Sequence, residues 1–274
     1  MTSACVIVNY NDSERVIKLV NELYLFNLFK YIVVVDNNSL VNEIEKLNRI
    51  KDKAVLIYNK ENHWFSGANN DGFCWLNDKH VDYVFTINSD VYVEKNVLQN
   101  LIDFIDKHED ISITSCQMIE NNEKKQCYYD FPTISHSIVE NLGIAKLFKL
   151  KPKHYFRRGD HIIVDYIRSS LWCIRFNALK EINGFDENTL LYHVETCVGL
   201  KMKERGYKSA ILLDLEYYHN HIYKKGYKIK GYKDTYRSLL YIFKYYLHKS
   251  KLQIFIYKIS FYIGLLIRKV LKIR

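Results

Sequence analysis

The chain has 274 residues, 48% of them hydrophobic and 26% charged, with 10 Gly and 2 Pro. That length accommodates one or two domains with a full core, and the composition excludes a disordered chain, a collagen-like repeat and a low-complexity protein. The formal charge of +9 is unevenly placed: residues 222–274 hold 14 Lys and Arg against one acid, Asp234, whereas residues 1–221 hold 26 against 30. A mildly acidic body with a strongly basic tail points to a tail that meets an anionic surface.

The six cysteines include no CxxC pair and none at zinc spacing from a His. Cys5, Cys74, Cys116 and Cys173 have apolar neighbours and are expected to be buried thiols in a reducing compartment. The first four residues run straight into the strand-like Cys5-Val6-Ile7-Val8, without the basic start and long apolar core of a secretory leader.

In chain order, short β-branched runs at 4–8, 31–35, 54–58, 83–87 and 111–115 predict strands. Between them, Val16, Leu19, Val20 and Leu23 recur at helical spacing, as do Val97, Leu98, Leu101, Ile102 and Ile105. Strand–helix alternation predicts an α/β fold with a mostly parallel sheet covered by helices on both faces. Residues 116–160 are irregular and basic from Lys149 to Arg158, which reads as a variable or acceptor-facing insertion. Strands are expected again at 162–167, 171–175, 209–213 and 216–218. Helices are expected at 177–182, capped by Gly184, and at 195–205, capped by Gly206.

Each early strand is followed by a polar cluster: Asn9-Tyr10-Asn11-Asp12, Asp36-Asn37-Asn38-Ser39, Asn59-Lys60-Glu61-Asn62 and Asn88-Ser89-Asp90. Any one cluster reads as ordinary turn and cap chemistry. Four of them, at strand ends that share one edge of an open α/β sheet, predict a polar ligand site.

Five segments follow in order: Val6-Ile7-Val8-Asn9-Tyr10-Asn11, Val34-Val35-Asp36-Asn37-Asn38-Ser39, the stretch 62–72, Ile87-Asn88-Ser89-Asp90, and Asn183-Gly184-Phe185-Asp186-Glu187 running to Gly206-Tyr207. Together they resemble the family 2 glycosyltransferases of GT-A fold, in the rhamnosyltransferase-like branch that builds bacterial surface polysaccharides. The resemblance implies a GT-A domain over residues 1–221. It implies that Asn9, Asn11, Asp36 and Asn38 hold base and ribose. Asn62, Gly67 and Asn69 would wrap the diphosphate, with a helix starting near Asn69 offering its amides. Asn88-Ser89-Asp90 stands where the family carries its DxD-type motif, so Asp90 would bind Mg2+ or Mn2+ and Asn88 would contact the nucleotide. His219, in Tyr218-His219-Asn220-His221, would be a second metal ligand; residues two apart on a strand point to opposite faces, so at most one of the two histidines faces the site.

The base position departs from the family pattern. Where the branch often has two acids, this chain has Val194-Glu195, which leaves Glu195 as the implied catalytic base. The implied reaction is inverting transfer from a UDP- or dTDP-sugar to a hydroxyl of a lipid-linked glycan. Two rival readings stay open: a catalytically degenerate nucleotide-binding scaffold, favoured by Val194 and Asn88, and a sugar nucleotidyltransferase.

In the tail, Tyr236, Leu239, Leu240, Phe243 and Leu247 share a helical face, and 252–267 is strongly apolar apart from Lys258. Sixteen such residues fall short of the ~20 that span a bilayer. The tail, 222–274, is expected to be a basic amphipathic helix lying on a membrane, or a helix pair packed on protein, and is too apolar for a nucleic-acid arm. The location expected on these grounds is cytoplasmic, peripheral on the inner face of the cell membrane.

Overall fold

The computed structural model describes residues 1–145, 155, 157–189, 191–220 and 228–270. The chain forms two compact units: residues 1–129, 155–187 and 194–221, and residues 130–154, 188–193 and 222–274. The basic run from Lys149 lies largely outside the described residues, as does His221.

The first half of the chain runs β1 (Ser3–Asn9), α1 (Ser13–Phe26), β2 (Tyr31–Asp36), α2 (Val41–Leu47), β3 (Val55–Tyr58), α3 (Trp64–Leu76), β4 (Tyr83–Ile87) and β5 (Val91–Tyr92). It continues through α4 (Lys95–Lys107), β6 (Ile111–Glu120), β7 (Glu123–Lys125), β8 (Tyr128–Tyr129) and α5 (Ile134–Asn141). Then come β9 (Arg157–Arg158), β10 (His161–Val164), β11 (Tyr166–Ile167), β12 (Leu171–Arg175), α6 (Phe176–Glu181), α7 (Val194–Glu204), β13 (Lys208–His219), α8 (Lys228–Tyr245) and α9 (Lys251–Val270).

The main sheet has the order β3-β2-β1-β4-β12-β6-β13-β10-β9. Strands β1 to β4 are parallel neighbours. Strand β12 enters antiparallel between β4 and β6, and β13 runs parallel to β6. The central strands are continuous Val and Ile runs because both their faces are covered. Helix α1 buries Val16, Leu19, Val20 and Leu23, and α4 buries Val97, Leu98, Leu101, Ile102 and Ile105, as their spacing predicts. Helix α3 lies close on the sheet at Gly72, where a Cβ would stand 2.5 Å from Val6 Cγ1.

Three expectations are corrected. Helix α3 begins at Trp64, not near Asn69, so the amides at its N-terminus belong to the residues before Asn69. Packing of Ala68, Gly72 and Phe73 outweighs the weak helix propensity of its first turns. The separate strands expected at 209–213 and 216–218 are one strand, β13, carrying a register shift between Leu212 and Glu216. Cys74 is exposed, because its position on α3 faces away from the sheet, while Cys127 and Cys197 are buried instead.

In the second unit the tail is joined by α5. Ile134 of α5, Leu239 and Phe243 of α8, and Ile254 and Tyr257 of α9 form one core, with Tyr236, Leu240 and Leu247 against it. The apolar face expected on α8 is therefore spent on protein packing. Helix α9 meets α5 so closely that a Cβ on Gly264 would stand 2.2 Å from the Asn141 carbonyl oxygen. Asn141 Nδ2 also donates to Ser260 Oγ (3.0 Å), and the Tyr236 and Phe261 rings stack at 3.6 Å.

Two outcomes are expected. Gly72→Ala overpacks the α3–sheet contact and costs about 1–3 kcal/mol in urea unfolding. Burial pushes the Cys5, Cys116 and Cys173 thiols up and raises that of Cys127 to about 11. A thiol reagent titrated against native protein at neutral pH therefore modifies Cys74 first and the remaining cysteines only on denaturation.

Candidate active site

The polar strand ends assemble into two networks. In the first, Asn9 Nδ2 at the end of β1 donates to Asp36 Oδ1 at the end of β2 (2.7 Å), and Asp36 Oδ2 accepts from the Ser39 amide (3.0 Å). Asn9 and Asp36 are both fully buried. Asn11 sits in the left-handed region (φ 54°), its amide donating to Ser39 Oγ (2.8 Å) and its Oδ1 accepting from the Leu40 amide (2.8 Å). Asn38, also left-handed at φ 64°, is exposed at the rim.

The adjoining residues form a mesh of amides. Asn37 Nδ2 donates to Asn62 Oδ1 (3.0 Å) and to the Trp64 carbonyl (3.0 Å), and Asn37 Oδ1 accepts from the His63 amide (2.8 Å). His63 Nδ1 meets Asp71 Oδ2 at 2.8 Å. Trp64 is held at φ 57°, a strained conformation for a large side chain, and remains 45% exposed. Gly67 lies where a Cβ would stand 2.8 Å from His63 Cβ, so the close turn of 63–67 requires glycine. Asn69 is buried and donates from Nδ2 to the Phe65 carbonyl (2.8 Å), which commits it to its own helix.

In the second network β4 passes into Asn88-Ser89-Asp90. The Asn88 amide donates to the Ser170 carbonyl (3.0 Å), and Ser89 Oγ donates to Asp12 Oδ2 (2.6 Å). Short β5 follows and pairs with the end of β13, Val91 opposite His219. That pairing places His219 Nε2 3.3 Å from Asp90 Oδ1, with both side chains nearly buried. On the other side of the ring, His219 Nδ1 lies 3.6 Å from Glu120 Oε1 at the end of β6.

Glu195, in the first turn of α7, accepts at Oε1 from Ser169 Oγ (2.7 Å). The neighbouring Ser170 Oγ shares a 2.6 Å hydrogen bond with Tyr217 OH on β13, and burial pushes the Tyr217 phenol well up. The Ser169-Ser170 turn therefore touches Asn88, Glu195 and the strand that carries His219. Val194 is buried in the hydrophobic core, where an acid would be desolvated at high cost. At the far end of α7, Lys201 Nζ donates to the Gly184 carbonyl (2.8 Å), and burial lowers its pKa.

Residues 4–181 match the family described as Glycosyl transferase family 2. The chain belongs to that family. Rhamnosyltransferase WbbL of Escherichia coli (strain K12) is 24% identical over 209 residues, which cover 72% of this chain and 76% of that protein. Two solved structures share the GT-A architecture. GalNAc-T7 with UDP, GalNAc and Mn2+ superposes with a TM-score of 0.64 at 14% identity, over 88% of this chain and 47% of that one. Mannosyltransferase PcManGT from Pyrobaculum calidifontis, with GDP-Man and Mn2+, gives 0.62 at 13% identity, over 96% and 72%. The chain thus spans about half the length of that GalNAc-T7 structure.

Several residues of these networks were not singled out by the sequence. Ser169 and Ser170 fall between two expected strands, 162–167 and 171–175. Glu120 lies beyond the expected end of its strand, and only the continuation of β6 brings it beside His219. Asn70 bridges α3 to the Asn183-Gly184-Phe185 turn: its Nδ2 donates to the Phe185 carbonyl (2.9 Å) and Glu187 Oε1 (2.8 Å), and its Oδ1 accepts from the Phe185 amide (2.9 Å). The Asn-Gly-Phe motif was visible, but its partner was not.

Asp36→Asn replaces one of two buried acceptor oxygens with a donor that faces a donor. A loss of about 1–3 kcal/mol in denaturant unfolding is expected.

Proposed function

We propose that the chain is an inverting, metal-dependent transferase. It moves a sugar from a UDP- or dTDP-sugar to a hydroxyl of a lipid-linked glycan in bacterial surface polysaccharide synthesis. The observation that carries this reading is the approach of Asp90 and His219 to 3.3 Å, on two segments whose neighbours Asn88 and Tyr217 bond the Ser170 of the turn that also holds Glu195 through Ser169.

Among the described residues, no group of three or more His, Cys, Asp or Glu side chains is placed to hold a metal ion. One carboxylate and one imidazole suit a Mn2+ or Mg2+ ion that takes its remaining ligands from a diphosphate and water, and imidazole tilts the balance to Mn2+. Asp90 and His219 would hold it, and Glu120 behind the ring would fix which nitrogen faces Asp90. Bound there, the ion would neutralise charge on the departing diphosphate.

The protein's own groups do the rest. Glu195 accepts the proton of the acceptor hydroxyl as its oxygen attacks the anomeric carbon. The new C–O bond forms as the bond to the nucleoside diphosphate breaks on the opposite face, so the centre inverts. Ser169 holds the carboxylate through Oε1. The mesh of Asn37, Asn62 and Trp64, with Asn11 and Asn38 at the rim, frames the donor. The basic composition of 222–274 supports a cytoplasmic, peripheral position on the inner face of the membrane, where a lipid-linked acceptor would be met.

Two measurements test the proposal. A thermal-shift screen against UDP, dTDP, GDP and CDP, with and without Mn2+, is expected to show a metal-dependent rise with UDP or dTDP, because a ligand that binds only the folded state raises Tm. Glu195→Gln is expected to lower transfer by about 10²–10⁴-fold while leaving that shift intact. Full transfer by Glu195→Gln removes it as the base. A nucleotide shift in a wild-type protein that transfers no sugar to any acceptor identifies a scaffold instead.

A further inference from the structure

The tail's two apolar faces have different fates. On α8 the apolar face is buried against α5 and α9. Helix α9 has an inward face, with Ile254, Tyr257, Ser260, Phe261 and Gly264 all buried. It also has a second apolar face that nothing among the described residues covers: Leu252, Phe255, Ile256, Ile259, Ile263 and Leu266 are 43–66% exposed. Tyr262 and Val270, at 66% and 71% exposed, extend the same stripe. At 3.6 residues per turn these positions fall within an arc of about 120°.

The charges on α9 are arranged about that stripe. The helix contains no Asp or Glu. Lys251, Lys258 and Lys269 are spaced by 7 and 11 residues, so they return to within about 20° of one another and form a row along one edge of the stripe. Arg268 does not belong to the row: its guanidinium lies 4.0 Å over the Tyr232 ring and donates to the Asn141 and Gly264 carbonyls. A helix with one face committed to protein, one exposed apolar face and a lysine edge does not cross a bilayer. No helix among the described residues is long and apolar enough to do so.

We propose that the outward stripe of α9 is the membrane-contacting surface of this protein, and that it lies in the interface of an anionic bilayer. The helix axis runs parallel to the surface. Phe255, Ile259 and Leu266 enter the acyl boundary, and the Lys251, Lys258 and Lys269 row sits at the lipid phosphates. The lysines select the occupant, because a second copy of this chain would bring the same lysine row with it, whereas anionic lipid neutralises it. The proposal rests on the membrane reading given above and assigns it to one face of one helix.

The test uses the full chain and flotation with vesicles of phosphatidylcholine alone or with phosphatidylglycerol. Wild-type protein is expected to float with the anionic vesicles and to remain with the soluble fraction in phosphatidylcholine alone. The triple variant Phe255→Ser, Ile259→Ser, Leu266→Ser is expected to lose at least about tenfold in partition with an unchanged Tm, since all three side chains already face outward. Lys251→Gln, Lys258→Gln, Lys269→Gln is expected to lose at least tenfold on anionic vesicles. Ile263→Trp gives a second readout, a blue-shifted emission on adding anionic vesicles. Undiminished flotation of the serine variant overturns the assignment of the stripe and leaves the membrane reading standing. Absence of wild-type flotation overturns both, while transfer to a soluble acceptor is unaffected. A wild-type dimer that the serine variant turns into a monomer overturns the proposal in favour of a second copy.

Discussion

The pairing of β5 with the end of β13 is the constraint on which the rest of the site depends. Strand β5 is two residues long, and its place is set by the turn at Asn88-Ser89-Asp90, where the Val91 amide donates to the Asn88 carbonyl (3.1 Å). Once Val91 lies opposite His219, the imidazole is delivered to the Asp90 carboxylate. The Asn220 amide donates to the Asp90 carbonyl (2.9 Å), which closes the same junction on the backbone side. The register shift in β13 belongs to this arrangement. Leu212 lies opposite Cys116 but Glu216 opposite Gln117, so the pairing moves by three residues and sets Tyr218 opposite Ile119, which leaves His219 beside the end of β6.

The two polar networks differ in kind. Around Asn9 and Asp36 the donors and acceptors satisfy one another, and the group is buried. Its contribution is to hold two strand ends and the 36–39 turn in a fixed relation, since a buried polar group that loses its partner costs more than the bond itself contributes. Around Asp90, Glu120 and His219, two carboxylates flank one imidazole at 3.3 and 3.6 Å, longer than hydrogen-bond optimum. This group joins the ends of β4, β6 and β13 through ionisable side chains, where the first network joins strand ends through neutral amides and one carboxylate. Glu195 stands between these cases, tied to Ser169 through one oxygen.

The second unit is built on close backbone approach. Gly264 and Asn141 bring α9 and α5 into contact, and stacked Tyr236 and Phe261 fill the space beside them. This consumes the face of α8 that the sequence offered to a membrane. It leaves α9, whose apolar residues outnumber what one packing face can use, with a stripe turned outward. Amphipathicity read along a single helix cannot distinguish these two fates, because both faces of α9 are apolar.

The sequence by itself determined the strands at 31–35 and 83–87, the helical faces of α1 and α4, and the order of the polar strand ends. Those features follow from periods of two and 3.6 residues and from residue type, and they are local. It also showed the Asn-Gly-Phe turn, the lone acid Glu195 beside Val194, and the charge division near residue 221. What only the tertiary structure decided is which of these groups meet. Asn9 turned out to face Asp36, Asn69 its own helix, and Asn70 the turn at Phe185. Glu120 became the neighbour of His219, and α5 the partner of α9. Each of these contacts joins segments whose approach depends on strand pairing or helix packing elsewhere in the chain. No local period encodes that approach, because it follows from how the sheet is ordered and how closely the helices lie against it.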